Sequence, residues 1–399
     1  MVPRSDCCNR VIMSFGALAL VLAAGLAGPL LASMHRLGPP VLVGEIAAGV
    51  VIGKSGFNWV DPSDTLLTGL AAIGFALLMF VVGTHLPVRD RQLRSALVVG
   101  AAVAATVGLL AVCAGELLGD VVGFDRPAVL AVLLATSSGA VALPLLQSAG
   151  RSDRAVLVTT AWIAIADVAT VNALPVVLAT GALWRVVLGG ALVVLAGAVL
   201  LVLAKEARGR EWVRRLRALS RDRGWGLDLR VSLLALFACA WLANRFGTSI
   251  LIAGFAVGTV VALLGQPRRV ALQLVGIGEG FAIPLFFVHL GAQIDVGALL
   301  SSRKALALAG LLAAVGIAIH LAAAVAWRLP VAMGLLASAQ LGVPAAVVAI
   351  GLATNQVTAA QGAAVMVAVL ITLAACAAGD ALLGLARPLT DASAPIEPA

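Results

Sequence analysis

The feature that most constrains this chain is a succession of apolar runs, each about 20 residues long, that recurs along almost its whole length. A helical run of this length matches the roughly 30 Å hydrocarbon thickness of a bilayer. Only 12% of the 399 residues are charged, whereas a soluble domain carries about 25%. Because the runs show no strict alternation of apolar and polar residues, they favour membrane helices over a membrane barrel.

We therefore expect an all-α polytopic membrane protein with about thirteen transmembrane helices. Segments 2 and 9 of this prediction are short for a full crossing. The first segment is too long for the apolar core of a signal peptide, so we expect it to remain as a helix. The predicted segments, numbered 1 to 13, lie near 11–33, 41–53, 64–86, 95–118, 127–149, 154–180, 184–204, 229–245, 248–264, 271–293, 305–327, 331–352 and 358–384.

The distribution of Lys and Arg predicts the orientation of the chain in the membrane. Loops assigned alternately to the two sides carry 19 Lys and Arg on one side and 8 on the other. The positive-inside rule places the richer side in the cytoplasm of a cell (inner or plasma) membrane, with the N-terminus outside and the C-terminus cytoplasmic. The basic loop 205–230 is then the main cytoplasmic anchor. The net charge of +8 follows from this topology and does not indicate a nucleic-acid partner.

An internal repeat relates the two halves of the sequence. The stretch RLGPPVLVGEIAAGVV at 36–51 matches RFGTSILIAGFAVGTV at 245–260, and GFALLMFVVG at 74–83 matches GFAIPLFFVH at 280–289. Segments 1, 2 and 3 therefore pair with segments 8, 9 and 10. Because the shift of seven segments is odd, the second copy enters the membrane from the opposite side.

The repeat predicts the domain organisation. We expect a first inverted repeat of segments 1–6 over residues 1–183 and a second, of segments 8–13 with a short tail, over 229–399. A linker, 184–228, joins them and contains segment 7 and the basic loop. Inverted repeats are typical of secondary transporters, because two halves of opposite orientation give two related states.

Segments 5 and 12 carry residues that interrupt helices. Segment 12 has Gly342 and Pro344 in ASAQLGVPAAVV. Glycine permits an irregular backbone, and proline removes a helix hydrogen bond. Matching interruptions in matching segments indicate a binding site near the bilayer midplane. In segment 5 the corresponding hydroxyl, glycine and proline residues are Thr136, Ser137, Ser138, Gly139 and Pro144.

Asp167 in segment 6 is the only charged residue between Arg154 and Arg185. Its helical separation from Arg154 is about 20 Å, which places it near the middle of the bilayer. A carboxylate at this depth is costly and by default marks an ion or proton pathway. We expect Asp167 to bind a proton and a small cation in competition, and Asn172, five residues later, to satisfy backbone groups near the Pro175 kink. The alternative is a structural carboxylate that caps a neighbouring broken helix.

These motifs resemble the monovalent cation:proton antiporter superfamily, especially its bacterial sodium/proton and potassium/proton branch. The resemblance covers nearly the whole chain and rests on VGEIAAGVVIG, LLMFVVGTHL, ATSSGAVALPLL, IADV, SILIAGFAVG and PLFFVHLGAQID. It implies a dimerisation scaffold and a mobile core of segments 4–6 and 11–13, in which segments 5 and 12 cross as broken helices. The segment 6 aspartate would carry ion and proton in an elevator movement.

From this resemblance we expect a homodimer in the lipid bilayer that exchanges Na⁺ or K⁺ for protons. Asp167 would carry proton and cation, and His320 is a possible partner. The further residues that we expect to contact the cation are Thr136, Ser137, Ser138, Asn172 and Gly342.

Three positions depart from the family pattern. Ala166 stands where many members have an acid or Asn before the aspartate, and Gln340 stands where charged residues are common. His320 occupies the place of a segment 11 lysine in many members. It could be a titrating partner, a pH-sensitive element or a buried neutral histidine that bonds a carbonyl. A single acid without a lysine favours electroneutral exchange.

Two other classes of function stay open at this point. One is a proton- or sodium-coupled carrier for a small organic solute, although no segment offers an Arg to anchor a carboxylate. The other is an ion-conducting or sensory membrane module. No catalytic motif or metal cluster stands out, so we expect neither enzyme activity nor a cofactor. Glu45 is either an ion-path residue or a contact between helices or protomers.

Overall fold

The computed structural model describes residues 5–385 except 34–40, 85–90, 149–152, 179–182, 247–249, 266–272 and 275. The described residues form helices and contain no strand. The first nine helices are α1 (Ser5–Gly25), α2 (Ala27–Ser33), α3 (Val41–Ile52), α4 (Thr65–Thr84), α5 (Arg91–Val122), α6 (Pro127–Ala135), α7 (Gly139–Ser148), α8 (Arg154–Val177) and α9 (Leu183–Gly209).

The second part of the chain continues in the same manner. A π-helical turn, Gly278–Ala282, leads directly into the helix that begins at Ile283. The helices are α10 (Glu211–Asp222), α11 (Leu227–Arg245), α12 (Ile250–Leu264), α13 (Ile283–Gln293), α14 (Val296–Ser301), α15 (Arg303–Ala326), α16 (Val331–Ala337), α17 (Gly342–Ala353) and α18 (Ala359–Leu385).

The apolar helices confirm the prediction of an all-α polytopic membrane protein. Among the described residues, 11 helical stretches are long and apolar enough to cross a bilayer. Two shorter apolar helices, Val41–Ile52 and Ile252–Leu264, correspond to segments 2 and 9, which the sequence predicted to be short. The thirteen crossings stay a prediction, because these two helices fall below the length that a full crossing requires.

Two helices in the structure differ from the predicted segments. Segment 1 is divided, since α1 ends at Gly25 and α2 begins at Ala27. Pro29 explains the division, because a proline cannot donate to the carbonyl four residues earlier, which is that of Gly25. The basic loop 205–230 contains helix α10, which the apolar pattern of the sequence did not predict.

The helices pack as two groups. A first group brings α3 against α13 and α4 against α12, with α9 and α11 packed on α12. A second group brings α5 against α6 and α8, and α15 against α16 and α18. Contacts between the groups include those of α7 with α4 and of α8 with α9. Both interrupted segments, α6–α7 and α16–α17, belong to the second group, which we call the core group; the first is the scaffold group.

Paired glycines hold the two main crossings of the scaffold group. Where α3 crosses α13, a Cβ on Gly291 would lie 2.1 Å from the carbonyl oxygen of Ile46 and 3.0 Å from Cα of Gly49. Where α4 crosses α12, a Cβ on Gly258 would lie 2.1 Å from the carbonyl oxygen of Phe80 and 3.0 Å from Cα of Gly83. Gly49 and Gly258 are equivalent at the repeat offset of 209, so equivalent glycines take part in the two crossings; the inverted repeat itself stays a prediction.

Candidate functional site

The two helix interruptions meet in the core group. Helix α6 ends at Ala135 and α7 begins at Gly139, whereas α16 ends at Ala337 and α17 begins at Gly342. The amide of Ser138 donates to the carbonyl of Ala339 over 2.7 Å. Since a backbone bond joins the two non-helical stretches, they cross in direct contact.

Proline is not the direct cause of either interruption. Pro344 lies in the first turn of α17, where a missing N–H costs little. Pro144 lies inside α7, five residues after that helix begins. Helices α6 and α16 end before the prolines are reached in the sequence. At the point where they end, backbone groups of each interruption form hydrogen bonds with the other interruption.

Asp167 lies where α8 passes the start of α7. Its side chain is 7% exposed, and its Oδ2 accepts a hydrogen bond of 3.0 Å from the amide of Gly139. This amide is the first of α7, and a helix N-terminus carries partial positive charge that favours an anion. A Cβ on residue 139 would lie 3.0 Å from the same oxygen, so glycine permits the close approach.

No cationic side chain neutralises Asp167 among the described residues. Arg215 with Glu211 and Arg217 with Asp228 form ion pairs in the basic region after α9, and neither pair includes Asp167. The carboxylate is thus buried with one backbone donor and no described countercharge. A buried charge without a partner is costly, so this position favours binding of a cation or a proton.

A chain of hydroxyls extends from the interruption to α8. Thr136 Oγ1 and Thr170 Oγ1 are 2.8 Å apart, and Thr170 donates its hydroxyl proton to the carbonyl of Ala166 over 2.8 Å. Because Thr170 has one hydroxyl proton, Thr136 is the donor between the two. Both side chains are buried. Sequence reasoning missed Thr170, although its position three residues after Asp167 puts both on one helix face.

His320 reaches the interruption through Ser137. Its Nδ1 is 2.8 Å from the carbonyl of Gly316, and its Nε2 is 3.3 Å from Ser137 Oγ. A carbonyl only accepts, so Nδ1 carries a proton. Ser137 Oγ is also 2.7 Å from the carbonyl of Ala337, to which it donates. Since Ser137 has one hydroxyl proton and the Nε2 of a neutral His320 can only accept, the carbonyl of Ala337 and Nε2 compete for that proton. No recorded hydrogen bond of the described residues joins His320 to Asp167.

Aromatic packing completes the surroundings of His320. The histidine is 0% exposed, and its ring stacks on Trp162, with centroids 5.7 Å apart and planes inclined by 19°. Among the described residues of the core group, the buried hydrogen-bond donors without a protein partner include Thr159 Oγ1, Trp162 Nε1 and Gln340 Nε2. Buried donors normally have a hydrogen-bond partner, so these three atoms could donate to water or to a polar ligand inside the core group.

Of the remaining predicted site residues, some lie at the interruptions and others do not. Ser138 and Gly342 are buried at the two interruptions. Asn172 is exposed, and its Nδ2 donates to the carbonyl of Val168 in its own helix over 2.7 Å. Five residues turn a helix by about 140° beyond a full turn, so Asn172 and Asp167 lie on different faces. The structure therefore does not bring Asn172 to the site. Glu45 is buried in α3, in the scaffold group.

Sequence comparisons give relatives over most of the chain. It is 28% identical to YjbQ of Bacillus subtilis over 319 residues, which cover 75% of this chain and 50% of YjbQ. It is 24% identical to the Na(+)/H(+)-K(+) antiporter GerN of Bacillus cereus, over 70% of this chain and 71% of GerN. It is 30% identical to the glutathione-regulated potassium-efflux system protein KefC of Escherichia coli O127:H6, over 67% of this chain and 43% of KefC. The chain thus spans about half the length of YjbQ and KefC.

Comparison of folds gives a consistent result. The sodium proton antiporter MjNhaP1 of Methanocaldococcus jannaschii superposes with a TM-score of 0.66 at 15% sequence identity, over 94% of this chain and 99% of that one. This likeness shows a shared fold. The family model for the transmembrane sodium/hydrogen exchanger matches residues 14–377. The chain is therefore a multi-pass membrane protein that belongs to the transmembrane sodium/hydrogen exchanger family.

Proposed function

We propose that this protein is a secondary active transporter that exchanges a monovalent cation, Na⁺ or K⁺, for protons across a cell membrane. The observation that carries the proposal is the position of Asp167, a buried carboxylate at the crossing of two interrupted helices. Family membership supports the same activity, as does the likeness to GerN, a Na(+)/H(+)-K(+) antiporter.

Asp167 would bind the proton and the cation in competition. The ionised carboxylate attracts a cation, whereas the protonated group is neutral and releases it. The amide of Gly139 donates to the carboxylate and stabilises its ionised form. Because both ligands use the same oxygens, binding of one weakens binding of the other by an equal factor.

Oxygen atoms of the interruptions would complete the cation site. Na⁺ and K⁺ are hard cations that prefer oxygen ligands, and a helix end leaves carbonyls without helical partners. We assign cation contacts to Asp167 and Thr136. Ser137 and Ser138 each donate a hydrogen bond to the opposite interruption, so they hold the crossing together, and Gly342 begins the helix that follows it.

Alternating access would come from movement of the core group against the scaffold group. The core group contains the candidate site and both interruptions, and contacts the scaffold group through α7 and α8. Movement of such a group past a fixed partner exposes one site to each side in turn. We extend the proposal to inverted repeats over 1–183 and 229–399, a cytoplasmic C-terminus, and a homodimer formed by the scaffold group.

We assign His320 the role of a neutral positioning residue. Its Nδ1–H is bonded to Gly316 in the same helix, and its Nε2 faces the hydroxyl of Ser137. A neutral His320 therefore acts on the interruption by competing with the carbonyl of Ala337 for the one hydroxyl proton of Ser137, and it does not pair with Asp167. Of the three roles that the sequence left open, the buried histidine bonded to a carbonyl agrees best with these contacts.

Proton movement in everted membrane vesicles tests the proposal. A pH-sensitive dye records dissipation of a preformed proton gradient when Na⁺ or K⁺ is added. We expect Asp167→Asn to abolish this response, because the amide neither binds a proton nor carries charge. Asp120→Asn is the matched control, since Asp120 is an exposed acid on α5, and we expect it to retain wild-type exchange.

The outcome depends on both variants reaching the membrane in folded form. Monodisperse elution and an unchanged Tm of each purified variant check this. Wild-type exchange by folded Asp167→Asn contradicts the proposal, as does loss of exchange in both variants to the same extent.

A further inference from the structure

Helix α10 lies outside the apolar spans but between two of them. It is separated from α9 by Arg210 and from α11 by residues 223–226. Both flanking helices are long and apolar enough to cross a bilayer. Helix α10 has 12 residues and follows one candidate membrane span and precedes another. These short connections hold α10 at the surface of the membrane.

One face of α10 is an exposed apolar stripe. Trp212, Leu216 and Leu219 follow one another at spacings of four and three residues, which places them on one side of a helix. Their exposed fractions are 60%, 36% and 39%. An adjacent face turns toward the protein, since Ser220 is buried and Arg217 pairs with Asp228.

The rest of α10 and its flanks are strongly basic. The stretch 205–230 contains nine Lys and Arg against four Asp and Glu, an excess of five positive charges. Arg214, Arg215 and Arg221 are exposed on the helix. At about 100° per residue, Arg214 and Arg221 lie on the side of the helix opposite the stripe, whereas Arg215 lies beside it. A helix with exposed apolar residues on one face and arginines on its other faces is typical of segments that lie in a membrane interface.

Contacts with α11 fix the orientation of this helix. Arg217 Nε lies 3.1 Å from Asp228 Oδ1, and Ser220 Oγ accepts from the amide of Leu227 over 3.1 Å. Two glycines of the connection, Gly224 and Gly226, have φ of 68° and 64°, a conformation that other residues rarely adopt. The stripe is therefore presented at a set angle to the membrane spans.

We propose that α10 is a binding site for anionic phospholipids of the membrane in which the protein resides. Trp212, Leu216 and Leu219 enter the boundary between headgroups and acyl chains. Arg215, beside the stripe, exchanges its exposed ion pair with Glu211 for a lipid phosphate. The long side chains of Arg214 and Arg221 extend around the helix to reach phosphates of the same surface, whose charge is complementary to theirs. The Arg guanidinium suits this role, because its planar donors match phosphate oxygens. This binding is independent of the ion exchange proposed for Asp167.

Hydrogen–deuterium exchange of the full chain in nanodiscs tests this proposal. One set of discs contains phosphatidylcholine alone, and the other contains added phosphatidylglycerol. We expect amide exchange in residues 211–222 to be slower with phosphatidylglycerol. In the variant R214Q/R215Q/R221Q this difference should disappear, and the phosphatidylglycerol affinity measured by native mass spectrometry should fall roughly a hundredfold, about fivefold for each arginine.

The pair R303Q/K304Q is the control, since Arg303 and Lys304 are exposed at the start of α15. It removes surface charge from a helix other than α10 and should keep the wild-type lipid difference. Equal rates of amide hydrogen exchange in residues 211–222 of the wild-type protein in both lipids overturn the proposal. The apolar stripe would then contact neutral lipid or another protein chain. A lipid difference that persists in the triple arginine variant overturns it as well.

Discussion

At the residue scale, the proposed exchange depends on the contact between Asp167 and the start of α7. The carboxylate takes a backbone amide as its partner, and this is possible because residue 139 has no side chain. A lone carboxylate in an apolar segment is visible in the sequence. The partner is not, because Gly139 lies 28 residues earlier and nothing local to segment 6 indicates it.

Substitution of Gly139 tests this contact without removing the carboxylate. In Gly139→Ala the added Cβ would lie 3.0 Å from Asp167 Oδ2 and displace it from the amide. We expect the cation concentration for half-maximal exchange to rise roughly tenfold, the effect of about 1.4 kcal/mol. Gly108→Ala is the control, since no atom lies within 4 Å of the added Cβ. Unchanged half-saturation in Gly139→Ala would disagree with this role of the amide.

The pair of Ser137 and His320 supports a second prediction at this scale. Because the two side chains are in contact, their substitutions should be non-additive. We expect Ser137→Ala and His320→Gln each to lower the free energy of unfolding, and the double variant to lose less than the sum by roughly 0.5–3 kcal/mol. Chemical denaturation of the four proteins measures the coupling.

The pH profile distinguishes positioning from titration. A neutral positioning histidine predicts that His320→Gln keeps the pH profile of exchange while its rate falls. A shift of the profile in this variant would instead assign His320 to proton transfer. If the losses of unfolding free energy in Ser137→Ala and His320→Gln simply add in the double variant, the proposed link between His320 and Ser137 is wrong.

Interruptions and close crossings decide the architecture at the element scale. The two matching Gly/Pro-containing segments predicted both interruptions correctly. The exact positions of the interruptions were not predictable. Helix α6 ends at Ala135, before Gly139, because the amide of Ser138 donates to the carbonyl of Ala339 in segment 12. Helix α10 was overlooked because arginines dominate its composition, although the spacing of Trp212, Leu216 and Leu219 was a readable signal.

The glycine crossing of α3 and α13 gives a prediction about stability. In Gly291→Ala the added Cβ would meet the carbonyl oxygen of Ile46 at 2.1 Å, so the helices must separate. We expect a loss of roughly 1–3 kcal/mol, read as a lower Tm in detergent. Gly310→Ala is the matched control, because nothing lies within 4 Å of its Cβ, and alanine should be neutral or slightly stabilising there. Equal Tm values for Gly291→Ala and the wild type would refute the close approach.

At the scale of the whole molecule, the repeat was the most informative sequence feature. Two blocks at nearly one offset predict a transporter architecture from the amino-acid sequence alone, and the family comparison agrees. The division into core and scaffold groups depends on contacts between distant helices, such as α5 with α15, which no local pattern specifies. Ala166 leaves Asp167 without an acidic neighbour; if Asp167 alone carries both ligands, as proposed, one proton exchanges for one cation.

The most direct test of competition at Asp167 is the pH dependence of cation affinity in proteoliposomes of the purified protein. The cation concentration for half-maximal exchange and the maximal rate are measured together, from alkaline to acid pH. One shared carboxylate predicts that, on the acid side, this concentration rises about tenfold for each unit of pH while the maximal rate at saturating cation stays constant. A half-saturating concentration that does not change with pH, with a maximal rate that does, would contradict competition at a single site.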